Sequence, residues 1–336
     1  MENPERGQIV TADLEAKFDR RNVAYKTVEN TPIEAAIFIP KTLISSSEAV
    51  TAPVLVHFHG GGLITGAVPD PFFLVDWIRE LAHSTSAIFV SAGYRLAPET
   101  PAVSILDDVA DFWAWLHADF TAAIRAHFPE AANLTPDLSR LAATGESAGG
   151  YLALQSALYL SRQKTTKNGG NRNRLRAVIA QYPALFTDLA AFNTRPEQPD
   201  PAMDALVDDF ARRQPRSVRV STPWPGDVSV TVAALSNGRL RDLYGADPEG
   251  RLTLGYALER AEEVPPALWV VQGGDDTWVA TAGADEMVER LRRERPKVDL
   301  KYTVVPGGWH GFDQTNKLED EWVKEGVDFF NRFWLE

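Results

Sequence analysis

The chain has 336 residues, 44% hydrophobic and 24% charged, enough apolar material for one large α/β domain with an insertion or for two ordinary domains. A net charge of −12 argues against nucleic acid and against anionic membrane surfaces, because both select a basic face. The absence of cysteine excludes disulfides, a thiol nucleophile and thiolate metal sites.

The polar start Met1-Glu2-Asn3-Pro4-Glu5-Arg6 carries no apolar h-region, and no apolar run approaches the ~18 residues of a membrane span. A cytoplasmic protein without a membrane span is therefore the expectation. Residues near 11–20 predict a short helix with Leu14 and Phe18 at i, i+4, too short to be stable unless it packs elsewhere. Ile33 to Ile39 predicts a strand that stops at Pro40. From there the strands are nearly continuous apolar runs, as in a parallel sheet covered on both faces: Val54–Phe58, Ala87–Val90, Leu141–Ala143, Ala177–Ala180, Leu268–Val271 and Leu300–Val305. Helical patterns separate most of them, over Phe73–His83, Ile105–His127, Tyr151–Arg162, Ala284–Arg293 and Leu318–Trp334. The alternation predicts a doubly wound, mostly parallel α/β sheet.

One interval breaks this rhythm. Residues 183–264 contain eight prolines, with helical pieces near Met203–Arg212 and Leu252–Glu262, which reads as an inserted subdomain rather than a loop. The stretch Ser161 to Arg174 is basic but lacks interleaved aromatics, so it reads as an exposed loop and not as a nucleic-acid patch.

Three motifs carry chemistry. Gly145-Glu146-Ser147-Ala148-Gly149 follows one apolar strand and precedes a helical pattern, the strand–turn–helix context in which a serine is presented as a nucleophile. Alone, Gly-x-Ser-x-Gly is modest, arising by chance in roughly one chain in ten of this size. His59-Gly60-Gly61-Gly62 follows another strand, and side-chain-free positions there allow the N–H groups of Gly61 and Gly62, with that of Ala148, to hold a developing oxyanion. His57 and His59 alternate on one strand, but no partnering ligand motif accompanies them, so no metal or cofactor is implied. His310 lies in the glycine-flanked loop Gly308-Trp309-His310-Gly311 after the last strand, where a general base is needed. The acid that orients it belongs between serine and histidine in chain order, in Gln272-Gly273-Gly274-Asp275-Asp276-Thr277-Trp278-Val279.

Taken together, these motifs and Tyr94-Arg95-Leu96-Ala97-Pro98-Glu99 resemble the hormone-sensitive-lipase family of α/β-hydrolases, over nearly the whole chain. The resemblance implies the α/β-hydrolase fold, Ser147 as nucleophile, His310 as base, Gly61, Gly62 and Ala148 as oxyanion donors, and structural roles for Arg95 and Glu99. It also implies a helical cap made from residues 1–27 and 183–264 over a catalytic core of residues 28–182 and 265–336. The chain departs from the family at the acid, where Asp-Pro-Leu is replaced by Asp275-Asp276-Thr277. Spacing in Gly-x-x-Asp-x-x-Val favours Asp276, with Asp275 as the alternative.

The expected activity is hydrolysis of a small carboxylic ester, apolar or aromatic, through an acyl-enzyme on Ser147. Trp309, Trp278 and Phe186 are the candidate pocket walls, although Phe186, like Phe192 and Trp224, serves equally well as core of the cap. The trio of Ser147, His310 and the acid would also serve a lactonase, an amidase or thioesterase, or an acyl-transferring or cyclising enzyme. A receptor that binds a small ligand without turning it over is a separate class, expected to have lost one of the three. The apolar end Phe329, Phe330, Phe333 and Trp334 fits a homodimer interface as readily as core.

Overall fold

The computed structural model describes residues 4–162, 174–184, 194–213, 217–262 and 266–336. Phe186 and Phe192 lie outside the described residues, as does most of the basic stretch after Ser161. Eight strands form one sheet: β1 (Phe18–Val28), β2 (Thr31–Pro40), β3 (Val50–Phe58), β4 (Ile88–Ala92), β5 (Leu134–Glu146), β6 (Ala177–Gln181), β7 (Ala267–Gly273) and β8 (Leu300–Val305), in the order β1-β2-β4-β3-β5-β6-β7-β8. β2 is antiparallel to both its neighbours, and every pairing from β4 through β8 is parallel.

Strand periodicity divides the apolar runs between two cores. Val54, Val56, Phe58, Val90, Leu141, Ala143, Val178 and Val270 face one side. Leu55, Phe89, Ala142, Ile179, Trp269 and Val271 face the other. On the first side pack α4 (Ala102–Ala118), α5 (Phe120–His127), α6 (Ala148–Leu160), α10 (Leu254–Arg260) and α11 (Thr281–Glu294). On the second lie α1 (Pro4–Lys17), α3 (Asp76–Ser84) and α12 (Glu321–Trp334). A short α2 (Lys41–Ile44) follows β2, and α7 (Pro201–Arg213), α8 (Val228–Ser236) and α9 (Leu240–Tyr244) stand between β6 and β7. Among the described residues no helix is long and apolar enough to cross a membrane.

Three differences from the sequence reading have physical causes. Residues 18–27, expected in the cap, are part of β1, a polar edge strand in which only Phe18 and Val23 are buried. Its ladder to β2 supplies the main-chain partners, so no apolar run is needed, and its turn uses Glu29 and Asn30 at φ 48° and 67° rather than the usual glycine. The long helix expected over Ile105–His127 is two helices, because Asp119 leaves helical geometry at φ −120°, ψ −12°. The aromatic end of α12 belongs to the core through Phe330 and Trp334, which are fully buried.

Two contacts tie the interval between β6 and β7 to the sheet's carboxyl edge. Thr222 pairs with Gly66 through reciprocal bonds of 2.8 and 2.7 Å. The Arg219 guanidinium donates to the carbonyls of Ile64 (3.0 Å) and Ala97 (2.7 Å), pairs with Asp227, and lies 2.9 Å from Glu99. Glu99 is thus held by Arg219, while Arg95 makes a bidentate pair with the fully buried Asp108 at 2.7 and 2.8 Å. These ion pairs fix the loops that leave β3 and β4.

Close packing of α12 on the sheet requires Gly326, where a Cβ would fall 1.7 Å from the Trp269 ring. Alanine is the better helix former by about 1 kcal/mol, but the indole is fully buried against Trp77 and Trp322 and has nowhere to move. Gly326→Ala should therefore destabilise the protein by about 1–3 kcal/mol, read from denaturant midpoints at unchanged m-value.

Candidate active site

Ser147 sits at the turn between β5 and α6 with φ 55° and ψ −119°, a left-handed conformation that few non-glycine residues adopt. Surrounding contacts hold it there: Ser147 N–H donates to the Gln181 carbonyl at 2.9 Å, and Ala184 N–H donates to the Ser147 carbonyl at 3.0 Å. The flanking glycines are required by close approach. A Cβ at Gly149 would lie 1.9 Å from the Phe58 carbonyl oxygen, and one at Gly145 would lie 2.4 Å from the Gly149 backbone. The turn thus presses the start of α6 against the end of β3.

This turn directs Ser147 Oγ to 3.0 Å from His310 Nε2. His310 Nδ1 is 2.7 Å from Asp276 Oδ2. Asp276 is buried, and its other oxygen accepts the N–H groups of Trp278 (2.9 Å) and Val279 (2.8 Å), while Gln272 donates to Oδ2 at 3.3 Å. Asp275 is exposed and uses its own N–H on the Gly308 carbonyl at 2.9 Å, which steadies the histidine loop. It is therefore Asp276 whose carboxylate meets the imidazole.

The glycine loop after β3 lies across from the serine. Gly61 and Gly62 have φ of 94° and 64°, and a Cβ at Gly61 would fall 2.1 Å from the Thr65 carbonyl oxygen. Among the described residues, none accepts a hydrogen bond from the N–H of Gly61, Gly62 or Ala148. Ala148 also opens α6, so the positive end of a helix dipole points at the same place.

A cavity of about 360 Å³ opens onto these groups. Its walls are Phe72, Phe73, Tyr182 and Trp278 from loops, Val228, Thr231, Val232 and Leu235 from α8, and Leu240 and Tyr244 from α9. Trp224 stacks on Phe72 with ring centroids 3.7 Å apart, and Tyr244 donates to the Gly62 carbonyl at 2.8 Å. Trp309, half exposed, stands at the rim. Of the three expected pocket residues, Trp278 and Trp309 line the cavity.

Sequence reasoning missed the contribution of α8 and α9 and the Phe72-Phe73 pair. The apolar run Val228–Ser236 was the available signal for α8. It also missed Asp313, three residues after His310. This buried carboxylate accepts from Trp77 (3.0 Å), Gln181 (2.8 Å) and Tyr182 (2.8 Å), and burial holds its pKa above the usual carboxylate range despite those donors. The Tyr182 ring so fixed meets the His310 ring edge-on at 4.9 Å. His57 and His59 do not form a ligand pair. His57 bonds Glu146 at 2.8 Å, whereas His59 stacks on Tyr94 at 4.3 Å, and burial lowers each to a pKa of about 3.

A family model described as the alpha/beta hydrolase fold matches residues 55–314. The chain is 29% identical over 329 residues to "Probable carboxylesterase M8" of Phoma sp., covering 95% of this chain and 97% of that one. It is 29% identical over 205 residues to "Probable carboxylesterase clz11" of Cochliobolus lunatus, covering 58% and 87%. Among solved structures, a fungal esterase from Rhizomucor miehei superposes with a TM-score of 0.61 at 16% identity, covering 100% of this chain and 92% of that one, which supports the fold alone. With the family model spanning most of its length, the chain belongs to the hormone-sensitive-lipase-like family of the α/β-hydrolase fold.

Proposed function

We propose that the protein is a serine esterase that hydrolyses a small, neutral, apolar or aromatic carboxylic ester through an acyl-enzyme. The observation that carries this reading is the unbroken chain from Ser147 Oγ to His310 Nε2 (3.0 Å) and from His310 Nδ1 to Asp276 Oδ2 (2.7 Å). The carboxylesterase names of its relatives support the same reaction class.

In this mechanism His310 Nε2 takes the Ser147 proton as Oγ attacks the ester carbonyl carbon. The carbonyl oxygen becomes an oxyanion held by the N–H groups of Gly61, Gly62 and Ala148, which are already oriented before charge develops. His310 then gives its proton to the departing alkoxide, leaving the acyl group on Ser147. Water, deprotonated by the same imidazole, repeats the attack and releases the acid. Asp276 keeps the Nδ1–H tautomer facing itself and offsets the positive charge that His310 gains.

Substrate class follows from the cavity wall. It is built mainly from aromatic and aliphatic side chains, with Thr231, Tyr182, Tyr244, Gln314 and Glu146 as polar points and no Lys or Arg, so an anionic acyl group there would be desolvated without a cationic partner. Helices α7, α8 and α9, with α1 beside Phe72 and Trp224, act in this reading as the cap, clamped to the oxyanion loop by Arg219.

Three outcomes test the proposal with p-nitrophenyl esters. Ser147→Ala should lose about 10⁵–10⁶-fold in kcat with unchanged circular dichroism; a parent-like rate would refute the acyl-enzyme. Asp276→Asn should cost about 10³–10⁴-fold, and Asp275→Asn less than about threefold; the reverse ranking would move the acid's role. A neutral butyrate should be cleaved at least about tenfold faster, by kcat/KM, than a hemisuccinate of matching length, and equal rates would show that the acyl group avoids this cavity.

A further inference from the structure

Glu146 precedes the nucleophile, and no step above uses it. The residue is buried, 3% exposed, and its carboxyl group reaches across to the strand that leads into the glycine loop. Oε1 accepts the N–H of Gly60 at 2.7 Å, and Oε2 is 2.8 Å from His57 Nε2. His57, 1% exposed, places its other nitrogen 3.3 Å from Ser91 Oγ. One side chain at the nucleophile turn therefore holds both the residue before Gly61 and the histidine two positions before His59.

The charge state of this junction follows from its surroundings. Among the described residues, His57 is the one basic side chain within 4.0 Å of the Glu146 carboxyl group. Burial and the nearby carboxyls of Asp313 and Asp70 push Glu146 well above the ordinary carboxylic-acid range, against the Gly60 N–H. Burial likewise holds His57 down to about 3, against the Phe73 backbone and Asp70, with His59 beside it. The hydroxyls of Tyr94 and Tyr182 face the same region and stay neutral, because burial raises both, with the Asp313 carboxyl beside Tyr182 acting in the same direction. An ionised pair would put two charges in the core at a desolvation cost that one contact seldom recovers. A neutral pair satisfies every atom: Glu146 Oε2–H donates to His57 Nε2, His57 Nδ1–H donates to Ser91, and Oε1 accepts from Gly60.

We propose that Glu146 is a positioning residue that works as a neutral carboxylic acid, tying the nucleophile turn to the oxyanion loop and so setting where the Gly61 and Gly62 N–H groups stand relative to Ser147. This rests on the esterase reading for its catalytic consequence but not for its chemistry. Glutamine reproduces one donor and one acceptor at the same two points, whereas alanine removes both and leaves Gly60 N–H and His57 Nε2 without those partners.

The test pairs kinetics with a spectroscopic readout. With p-nitrophenyl butyrate, Glu146→Ala should lose about 10²-fold in kcat, the effect of one misplaced oxyanion donor, at nearly constant KM. Glu146→Gln should recover to within about threefold of the parent. In the parent protein, ¹⁵N spectra of labelled histidine should show His57 neutral, protonated at Nδ1 alone, throughout pH 5–8. A doubly protonated His57 at pH 7, or a glutamine variant as impaired as the alanine one, would overturn the proposal. Should the alanine variant not fold, the glutamine variant and the spectra still decide. If the parent itself turns over no ester, the esterase reading fails, and the His57 spectra report on Glu146 independently.

Discussion

Everything at this site depends on a backbone constraint, the left-handed turn at Ser147. A residue at φ 55° persists only where its surroundings leave no alternative, and here the alternative is removed by the approach of α6 to β3. Gly149 lies against the Phe58 carbonyl so closely that any side chain would collide. That approach does three things at once. It lifts Oγ toward His310, it brings the first N–H of α6 beside the glycine loop, and it places Glu146 where it can reach Gly60 and His57.

The remaining parts are supports for that turn, each brought from a different strand end. β7 contributes Asp276, with Gln272 and two backbone N–H groups spreading its charge. The loop after β8 contributes His310, and its own Asp313 returns to the core to fix Tyr182 against the imidazole. β3 and β4 contribute the glycine loop and the Arg95 and Glu99 stretch, which Arg219 joins to the interval between β6 and β7. A single arginine on that interval touches carbonyls of both loops, so the interval and the glycine loop are held together. The apolar wall from α8 and α9 is carried on the same interval.

How much of this was legible in the sequence depended on whether the signal was local. Ser147, Gly61, Gly62 and His310 each sit in a glycine-flanked turn after an apolar strand, a pattern written within six or seven residues. The parallel strands were legible for the same reason, since burial on both faces demands continuous apolar runs. β1 was not, because an edge strand is held by main-chain bonds that leave no side-chain trace, and its turn residues Glu29 and Asn30 carry no glycine. The cavity wall on α8 and α9 was hidden in a proline-rich interval whose periodicity is weak. Glu146 carries no local signal within Gly-x-Ser-x-Gly because its partner His57 is 89 positions away, and only the β3–β5 pairing brings them together. Asp276 stood between these cases. Spacing favoured it, and only geometry distinguishes its buried carboxylate from the exposed Asp275.

The central claim is that Ser147 is a nucleophile activated by His310. The measurement that addresses it most directly is reaction of the folded protein with a fluorophosphonate, followed by intact mass and peptide mapping. The account predicts a single covalent adduct, located on Ser147 and abolished on unfolding before treatment. No adduct, or an adduct on another residue with Ser147 unmodified, would contradict it.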